Sequence, residues 1–437
     1  MDSYSKFSDK VSELCYEKFK TLPKRGKPQI NKEWTLLAAV VMEYPTQTLK
    51  IVSLTTGTKC LGYSELSDKG DVIFDSHAEV LARRGFIKFM MYHMLSLLQK
   101  KDSDVLHFDE MQRNFTLKSG IKFHLFISHV PCGDAAIFPK HSVTKQNQST
   151  EEQHRNDDGE SYPKKLKPDL SNDLNIYSEP DSSLCTLSDI HRTGAKCVEG
   201  ENQDPKVPGK DFHITGVLRT KPGRGDPTWS MSCSDKIALW NICGIQGALL
   251  SCFLTYPIYL SSLIFGQCPF DVKALQRAVV ERLSSLTFLP PQYHINRPAI
   301  FLSSLEFEYS KNKMLKIDPT AAPCPTSIIW CDIPNFLEVS VNGRKQGITK
   351  KNINKPTSRI SICKILLLEK FLEIRNLLHG NEAELEMGTE NSLTYLEYKQ
   401  MAKSYQEAKL AVWKIFDKWK KKPDHLQNFL PFLNKKE

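Results

Sequence analysis

The feature that most constrains the fold is a long run, residues 237–270, that contains no charged side chain. A run of this length either crosses a membrane or lies in a protein interior, because its apolar side chains cannot all stay in water. Three polar residues and a proline interrupt it, namely Asn241, Gln246, Gln267 and Pro257. The pattern predicts a buried helix over residues 236–253 and a buried strand over residues 258–265. We therefore expect the centre of an α/β domain and no membrane span.

Composition favours a globular protein in a reducing compartment. The chain has 437 residues, 40% hydrophobic and 25% charged, which suits one large domain or two ordinary ones. Its polar N-terminus lacks the apolar segment of a secretory signal, so we expect an intracellular protein, either nuclear or cytoplasmic. The 12 cysteines are irregularly spaced and include no C-x-x-C pair, so we expect thiols or metal ligands rather than disulfides.

The net charge of +9 is concentrated in three basic stretches, residues 20–32, 344–355 and 414–422. Such stretches are compatible with a nucleic-acid partner and equally with an ordinary solvated surface. Charge alone therefore leaves the partner open.

The chain divides into an N-terminal helical segment, residues 1–33, and a single domain, residues 34–437. Residues 140–210 interrupt that domain, because they are rich in Ser, Asn, Asp, Glu, Gln, Lys and Pro and poor in apolar side chains. Such a composition cannot bury enough apolar surface to fold. We therefore predict that residues 140–210 are a disordered insertion.

Four residues supply the chemistry of a zinc-activated water. His77, Cys132 and Cys233 offer one imidazole and two thiolates, and a catalytic Zn²⁺ takes three protein ligands beside its water. Glu79, two residues after His77, could carry the proton of that water, whose pKa falls to about 7 on binding.

The predicted elements place these residues at helix N-termini. A helix is predicted over residues 76–98 with Ser76 as its N-cap, so that His77 lies in its first turn. Cys132 and Cys233 are each predicted at the start of a helix. A helix N-terminus favours the thiolate, which is the form that binds zinc.

A second clue lies in the last predicted helix, residues 393–421. Its apolar stripe consists of Met401, Tyr405, Ala408, Val412, Phe416 and Trp419. Lys409 lies beside this stripe, one turn after Tyr405. Its ammonium group must either extend to water or contact a buried anion, and the pattern leaves both alternatives open.

Five segments together resemble the family of adenosine deaminases that act on RNA. The resemblance is strongest to the branch that makes inosine next to the anticodon of alanine tRNA. The segments read SLTTGTKC (53–60), DSHAEVLARR (75–84), PCGDA (131–135), LRTKPGRGD (218–226) and MSCSDKIA (231–238). The segments occur in the same order as in the family, and the resemblance as a whole covers residues 34–139 and 212–432. The resemblance implies an α/β fold with a cytidine-deaminase-like core, a mixed central sheet with helices on both faces, and a C-terminal helical part.

The resemblance implies that His77, Cys132 and Cys233 bind one catalytic Zn²⁺ and that Glu79 is the proton shuttle. Short-chain deaminases carry both cysteines in a P-C-x-x-C motif. In this chain Ala135 stands at the position of the second cysteine of that motif. Cys233 replaces that cysteine as a ligand, as in the RNA-editing branch.

The family also buries an inositol hexakisphosphate, which would be the anion near Lys409. Carried over position by position, its ligands are Arg83, Arg84, Lys236, Lys364, Tyr395, Lys399, Tyr405, Lys409, Trp419 and Lys422. Two family contacts differ, because relatives have Arg where this chain has Leu239 and Ser where it has Ala248.

Two further roles follow from the same resemblance. Asp75, Lys221 and Lys236 resemble the relay that links the inositol phosphate to the zinc site. Thr58 and Lys59 resemble contacts to the target nucleotide.

The resemblance points to tRNA rather than duplex RNA as the partner. Relatives that edit duplex RNA have extra RNA-binding modules and a longer loop before the position of Cys233. In this chain the loop between Lys221 and Cys233 consists only of residues 222–232. A base that is already unpaired costs less to flip, and an anticodon loop presents one. The basic segment 221–225 could contact backbone phosphates. We expect no DNA and no obligate protein partner.

The sequence thus predicts a zinc-dependent hydrolytic deaminase of adenosine in tRNA, in which water attacks C6 and ammonia leaves. One alternative is a catalytically idle scaffold that binds RNA or inositol phosphate, against which the presence of Glu79 argues. Another is a cytidine deaminase or a deaminase of another RNA, because the zinc motif alone does not exclude either.

Overall fold

The structure is a computed structural model and describes residues 2–140, 189–222, 225–379 and 393–431. The helices in these ranges are α1 (Asp2–Thr21), α2 (Ala78–Leu98), α3 (Cys233–Cys243), α4 (Gly247–Ser251), α5 (Val272–Val279), α6 (Lys311–Ile317), α7 (Lys364–His379), α8 (Tyr395–Gln400) and α9 (Lys403–Ile415). The strands are β1 (Glu33–Trp34), β2 (Leu37–Glu43), β3 (Leu49–Thr56), β4 (Thr58–Cys60), β5 (Asp75–His77), β6 (Leu106–Asp109), β7 (Asn114–Leu117), β8 (Lys122–Ile127), β9 (Phe138–Pro139), β10 (Ile190–His191), β11 (Lys196–Cys197), β12 (Arg219–Thr220), β13 (Leu260–Phe265), β14 (Ala299–Leu302), β15 (Ala322–Pro323), β16 (Thr326–Cys331), β17 (Leu337–Val341) and β18 (Arg344–Lys345).

A mixed sheet of eight strands forms the centre, in the order β14-β13-β8-β2-β3-β16-β17-β18. β13 runs parallel to both of its neighbours, whereas the pairings from β8 through to β18 are antiparallel. β2 lies in the middle because it is apolar up to its last residue, Glu43, so both of its faces can be buried. The predicted mixed sheet is confirmed.

Helices cover both faces of this sheet, as predicted. On one face α2 packs with α7 and α4, and Ile237 and Trp240 of α3 belong to the same larger apolar core. On the other face α1 packs on the sheet, with Val11, Cys15 and Phe19 completely buried against Phe126 and Ile264. The N-terminal helix therefore shares a core with the sheet that follows it.

The uncharged run forms α3, α4 and β13. The predicted strand is confirmed, but the single helix predicted over residues 236–253 is wrong. α3 ends at Cys243, because Gly244 follows with a φ of +73° that turns the backbone out of the helix. No helix in the described ranges is both long and apolar enough to cross a membrane.

The insertion predicted over residues 140–210 ends earlier than its composition indicates. Residues 189–210 are described, with β10 paired to β9 and β11 paired to β12. The completely buried Arg219 holds this stretch by donating to Asp204 and to the carbonyl oxygen of Ala195. Composition does not reveal this contact, because Arg219 lies outside the polar stretch. Residues 141–188 lie outside the described residues, as do residues 223–224 of the basic segment.

The helix predicted over residues 393–421 is two helices, α8 and α9, with a short break between them. α8 begins with a capping box in which Thr394 and Glu397 satisfy each other's backbone N–H groups. Trp419, a member of the predicted stripe, lies beyond the end of α9 and stacks with Phe416.

Candidate active site

The first candidate ligand, His77, lies where β5 meets α2. β5 pairs antiparallel with β4, and His77 lies opposite Thr58 in that register. This pairing keeps His77 extended, so it is the N-cap of α2 rather than a residue of its first turn. The prediction that Ser76 caps the helix is therefore wrong, whereas Glu79 does lie in the first turn.

The two candidate cysteine ligands come together through the backbone. The carbonyl oxygen of Cys132 accepts hydrogen bonds from N and Oγ of Ser234, both 3.0 Å long, and Cys233 N lies 3.4 Å from Cys132 Sγ. Cys233 lies at the N-terminus of α3, as predicted. Cys132 precedes only a 3₁₀ turn, Asp134–Ala136, so the helix predicted there is wrong. Gly133 permits the approach, because its φ is +105° and a Cβ would clash with the Ser234 hydroxyl.

His77 completes a cluster with the two cysteines. Its imidazole interacts with the Cys132 side chain, and its Nδ1 lies 2.8 Å from Asp75 Oδ1. Burial and the charge of Lys221 lower the pKa of His77, but Asp75 and Cys132 raise it overall to about 9. The hydrogen bond with Cys233 lowers the pKa of the Cys132 thiol well below its usual value, although burial raises it. The structure thus brings the three predicted ligands together.

The described part of the chain contains no group of three or more His, Cys, Asp or Glu side chains already arranged as a metal centre. Lys221 Nζ lies 2.7 Å from Cys233 Sγ and donates to it. His77, Cys132 and Cys233 nevertheless have the chemistry of a zinc site, with one imidazole and two thiols. Asp75 orients the imidazole through its contact with Nδ1. These three side chains remain the predicted metal ligands.

Glu79 is almost completely buried, and its Oε2 has no hydrogen-bond partner among the described residues. An unpartnered carboxylate oxygen is costly to bury, so such a group usually serves a ligand. Burial lowers the pKa of Lys221, but Asp75, the two cysteines and Glu79 together raise it well above its usual value. Glu79 therefore acts electrostatically on the same cluster.

Asp75 connects the cysteine cluster to a basic cavity. Its Oδ2 accepts a 2.7 Å hydrogen bond from the completely buried Lys221 and a second one from Lys236. Burial raises the pKa of Asp75, but Lys221, Lys236 and His77 lower it well below its usual value. The three side chains of the predicted relay are therefore in direct contact.

The basic cavity has a volume of about 590 Å³. All ten side chains predicted to bind inositol hexakisphosphate line it, namely Arg83, Arg84, Lys236, Lys364, Tyr395, Lys399, Tyr405, Lys409, Trp419 and Lys422. Lys420 and Lys421 also line it and were missed, although the basic stretch 414–422 pointed to them. Among the lining residues only Asp75 and Asp424 are acidic.

The cavity is lined by more positive charge than its two acidic residues can balance. Burial lowers the pKa of Lys409 and of Lys422 to about 8. Burial and neighbouring lysines lower the pKa of Lys364 and Lys399 well below the usual value. Arg83 Nε has no hydrogen-bond partner among the described residues. So many cations in an interior are tolerable only around a polyanion, and lysine and arginine suit phosphate oxygens.

The two predicted substrate contacts lie on β4, beside the metal-site residues. Thr58 lies opposite His77, and its Oγ1 is buried without a hydrogen-bond partner in the described part of the chain. Lys59 is half-buried and lies opposite Ser76.

The sequence profile of the adenosine-deaminase (editase) domain matches residues 53–423. The chain is similar to tRNA-specific adenosine deaminase 1 of Mus musculus, with 35% identity covering 97% of this chain and 99% of that protein. The Drosophila melanogaster protein of the same name is 34% identical, and 97% of each chain is covered. Double-stranded RNA-specific editase B2 of Mus musculus is 29% identical over 97% of this chain but only 50% of its own length. The chain therefore belongs to the adenosine-deaminase (editase) domain family.

Proposed function

We propose that the protein deaminates adenosine to inosine in tRNA, with Zn²⁺ as its catalytic cofactor. Relatives that match it over nearly their full length are named tRNA-specific adenosine deaminases. The observation that carries the proposal is the cluster of His77, Cys132 and Cys233 together with the buried, unpartnered carboxylate of Glu79. A scaffold that only binds RNA has no need of that carboxylate.

In this proposal His77, Cys132 and Cys233 hold the zinc ion, and Asp75 orients the imidazole. The ion, when bound, supplies a water whose pKa is lowered to about 7. Glu79 would carry one proton of a water to the purine ring as the oxygen adds to C6, and would then carry the other proton to the amino group. The amino group then leaves as ammonia, so that water and adenosine give inosine and ammonia.

The basic cavity is proposed to hold inositol hexakisphosphate. Support comes from its ten predicted ligands, its lowered lysine pKa values and the unpartnered Nε of Arg83. Leu239 and Ala248 also line the cavity, so the arginine and serine of relatives are replaced there by side chains that cannot hydrogen-bond a phosphate. Asp75 would link this anion to Cys233, because it contacts both Lys236 and Lys221.

The proposed target is the adenosine next to the anticodon of alanine tRNA, with Thr58 and Lys59 contacting the flipped nucleotide. The unpartnered Thr58 hydroxyl beside His77 supports this placement. Duplex RNA is the alternative, because editases named for double-stranded RNA match the same chain. This chain spans about half the length of those editases.

The test is incubation of zinc-loaded protein with alanine tRNA lacking inosine and with a duplex RNA of matched length, followed by sequencing for A-to-I change. We expect inosine next to the anticodon in the tRNA alone, and none with Glu79→Gln. Inosine in the duplex and none in the tRNA would favour the editase substrate. No inosine in either RNA would contradict the enzyme and favour the scaffold.

A further inference from the structure

Two ion pairs lie close to the two cysteines along the chain. Asp134 follows Cys132 by two residues, Asp235 follows Cys233 by two residues, and both aspartates are completely buried. Each is paired with an arginine from one short stretch of chain, which consists of α5 and the 3₁₀ turn Glu281–Leu283 after it. The stretch 272–283 therefore contacts both segments that carry a cysteine, although it supplies none of the predicted ligands.

Arg277, in α5, holds the turn after Cys132. Its Nε donates to Asp134 Oδ2 over 3.0 Å, and its Nη2 donates to the carbonyl oxygens of Asp134 and Ile137, both over 2.9 Å. The other oxygen of Asp134 accepts a 2.7 Å hydrogen bond from Gly216 N. The guanidinium thus fixes both the side chain and the backbone of the turn that sets the direction of Cys132.

Arg282, in the 3₁₀ turn, contacts Asp235 in the first turn of α3. Its Nη2 lies 2.7 Å from Asp235 Oδ1, as an ion pair rather than an aligned hydrogen bond. The other oxygen of Asp235 accepts from Ser232 Oγ over 2.6 Å and from Arg219 N over 3.0 Å. One carboxylate thereby ties the first turn of α3, where Cys233 lies, to the strand that leads to Lys221.

We propose that Arg277 and Arg282 are positioning residues, which set the separation and direction of the Cys132 and Cys233 thiols for the metal. Burying the two aspartates is favourable only when their partners satisfy them well, and a hydrophobic contact would stabilise the fold at least as well. Outer partners of this kind orient metal ligands and govern metal affinity. The inference rests on the proposed zinc-dependent function.

The experiment compares Arg277→Gln and Arg282→Gln with wild type, using Arg25→Gln as the matched control. Arg25 is exposed and hydrogen-bonds only Gln346 among the described contacts. Three quantities are measured: zinc per chain, the rate of zinc transfer to a chelator, and the melting temperature. A tRNA assay adds kcat and KM separately.

We expect zinc affinity to fall about 10–100-fold in each of the two variants, with kcat reduced and KM for tRNA unchanged. Arg25→Gln should match wild type. Wild-type protein without zinc would defeat the proposed function itself. Zinc-loaded wild type together with folded Arg277→Gln and Arg282→Gln proteins that release zinc at the wild-type rate would overturn the positioning role alone.

If the glutamine variants do not fold, Arg277→Lys and Arg282→Lys take their place. Lysine keeps the charge but cannot reproduce the three bonds that Arg277 donates. Zinc release should then still be faster than in wild type, and a wild-type rate in both lysine variants would overturn the proposal.

Discussion

Lys221 and Asp75 form a buried ion pair in which Nζ lies 2.7 Å from Oδ2. The same Nζ contacts Cys233, and the same carboxylate contacts Lys236 and orients His77. Between the basic cavity and the candidate metal ligands there is therefore one side chain, Asp75, on the way to His77, and two, Asp75 and Lys221, on the way to Cys233. This is the physical basis on which an anion in the cavity would influence chemistry at the cysteines.

Replacing the proposed proton shuttle should stop the reaction without removing the metal. Glu79→Gln keeps the shape of the side chain but cannot accept a proton, and general acid–base groups contribute about 10²–10⁴-fold. We expect kcat to fall by at least about 10²-fold at unchanged zinc content, whereas the exposed Glu110→Gln should behave as wild type. A variant that kept more than about a tenth of the wild-type rate would contradict the role.

Gly133→Ala should disrupt the approach of the two cysteines. The residue has a φ of +105°, and an added Cβ would overlap the hydroxyls of Ser232 and Ser234. We expect a loss of stability of about 1–3 kcal/mol and weaker zinc binding, measured by denaturant unfolding and metal analysis. Gly194→Ala is the matched control, because nothing lies within 4 Å of its Cβ position. Equal stability of the two variants would show that the close approach is not required.

The purified protein should carry its anion. We expect mass analysis of acid-denatured wild type to detect inositol hexakisphosphate. Lys409→Met should then cost several kcal/mol, because it leaves part of a buried polyanion uncompensated. A lysine that merely extends to water would cost little on the same change. Absence of any inositol phosphate, together with a Lys409→Met protein as stable as wild type, would rule out the buried anion.

The anion should also change how stability depends on pH. Burial lowers the pKa of Lys409 and Lys422 to about 8 from 10.5, so between these values the unfolded chain binds more protons than the folded, anion-free protein. Stability of the anion-free protein should therefore rise as pH increases through this window. With the anion bound, phosphate keeps the lysines charged and the rise should disappear. Melting temperatures with and without anion, across the same pH series, test this, and parallel curves would contradict it.

Two deletions within the predicted insertion should differ in their effect on the free energy of unfolding. The backbone N–H of Lys140 donates to the Asp189 carbonyl oxygen over 2.8 Å, so a short turn can replace residues 141–188. That polar stretch is poor in apolar side chains, and we expect little change in the free energy of unfolding. Deleting residues 141–208 also removes Asp204 and leaves Arg219 buried without its counter-charge, at a cost of about 3–5 kcal/mol. Equal stability of the two deletions would contradict this account.

The sequence by itself determined the class of the fold, and it predicted the chemistry of the site. The uncharged run and the apolar β2 predicted a buried α/β core, because burial requires apolar side chains whatever they contact. The residue types of His77, Cys132, Cys233 and Glu79 indicated a metal-activated water, and their individual roles came from the resemblance to adenosine deaminases that act on RNA.

Tertiary structure decided which groups meet. Pairing of β5 with β4 made His77 an N-cap, although its local pattern reads as helix. The packing of α9 places Lys409 in the wall of a cavity with other cations, which its position along the chain did not reveal. The residues next to Arg277 and Arg282 do not indicate a role for them, because their ion-pair partners are aspartates far away along the chain. Helix and strand periodicity are properties of neighbouring residues, whereas ion pairs and cavities depend on contacts between segments that only the folded chain brings together.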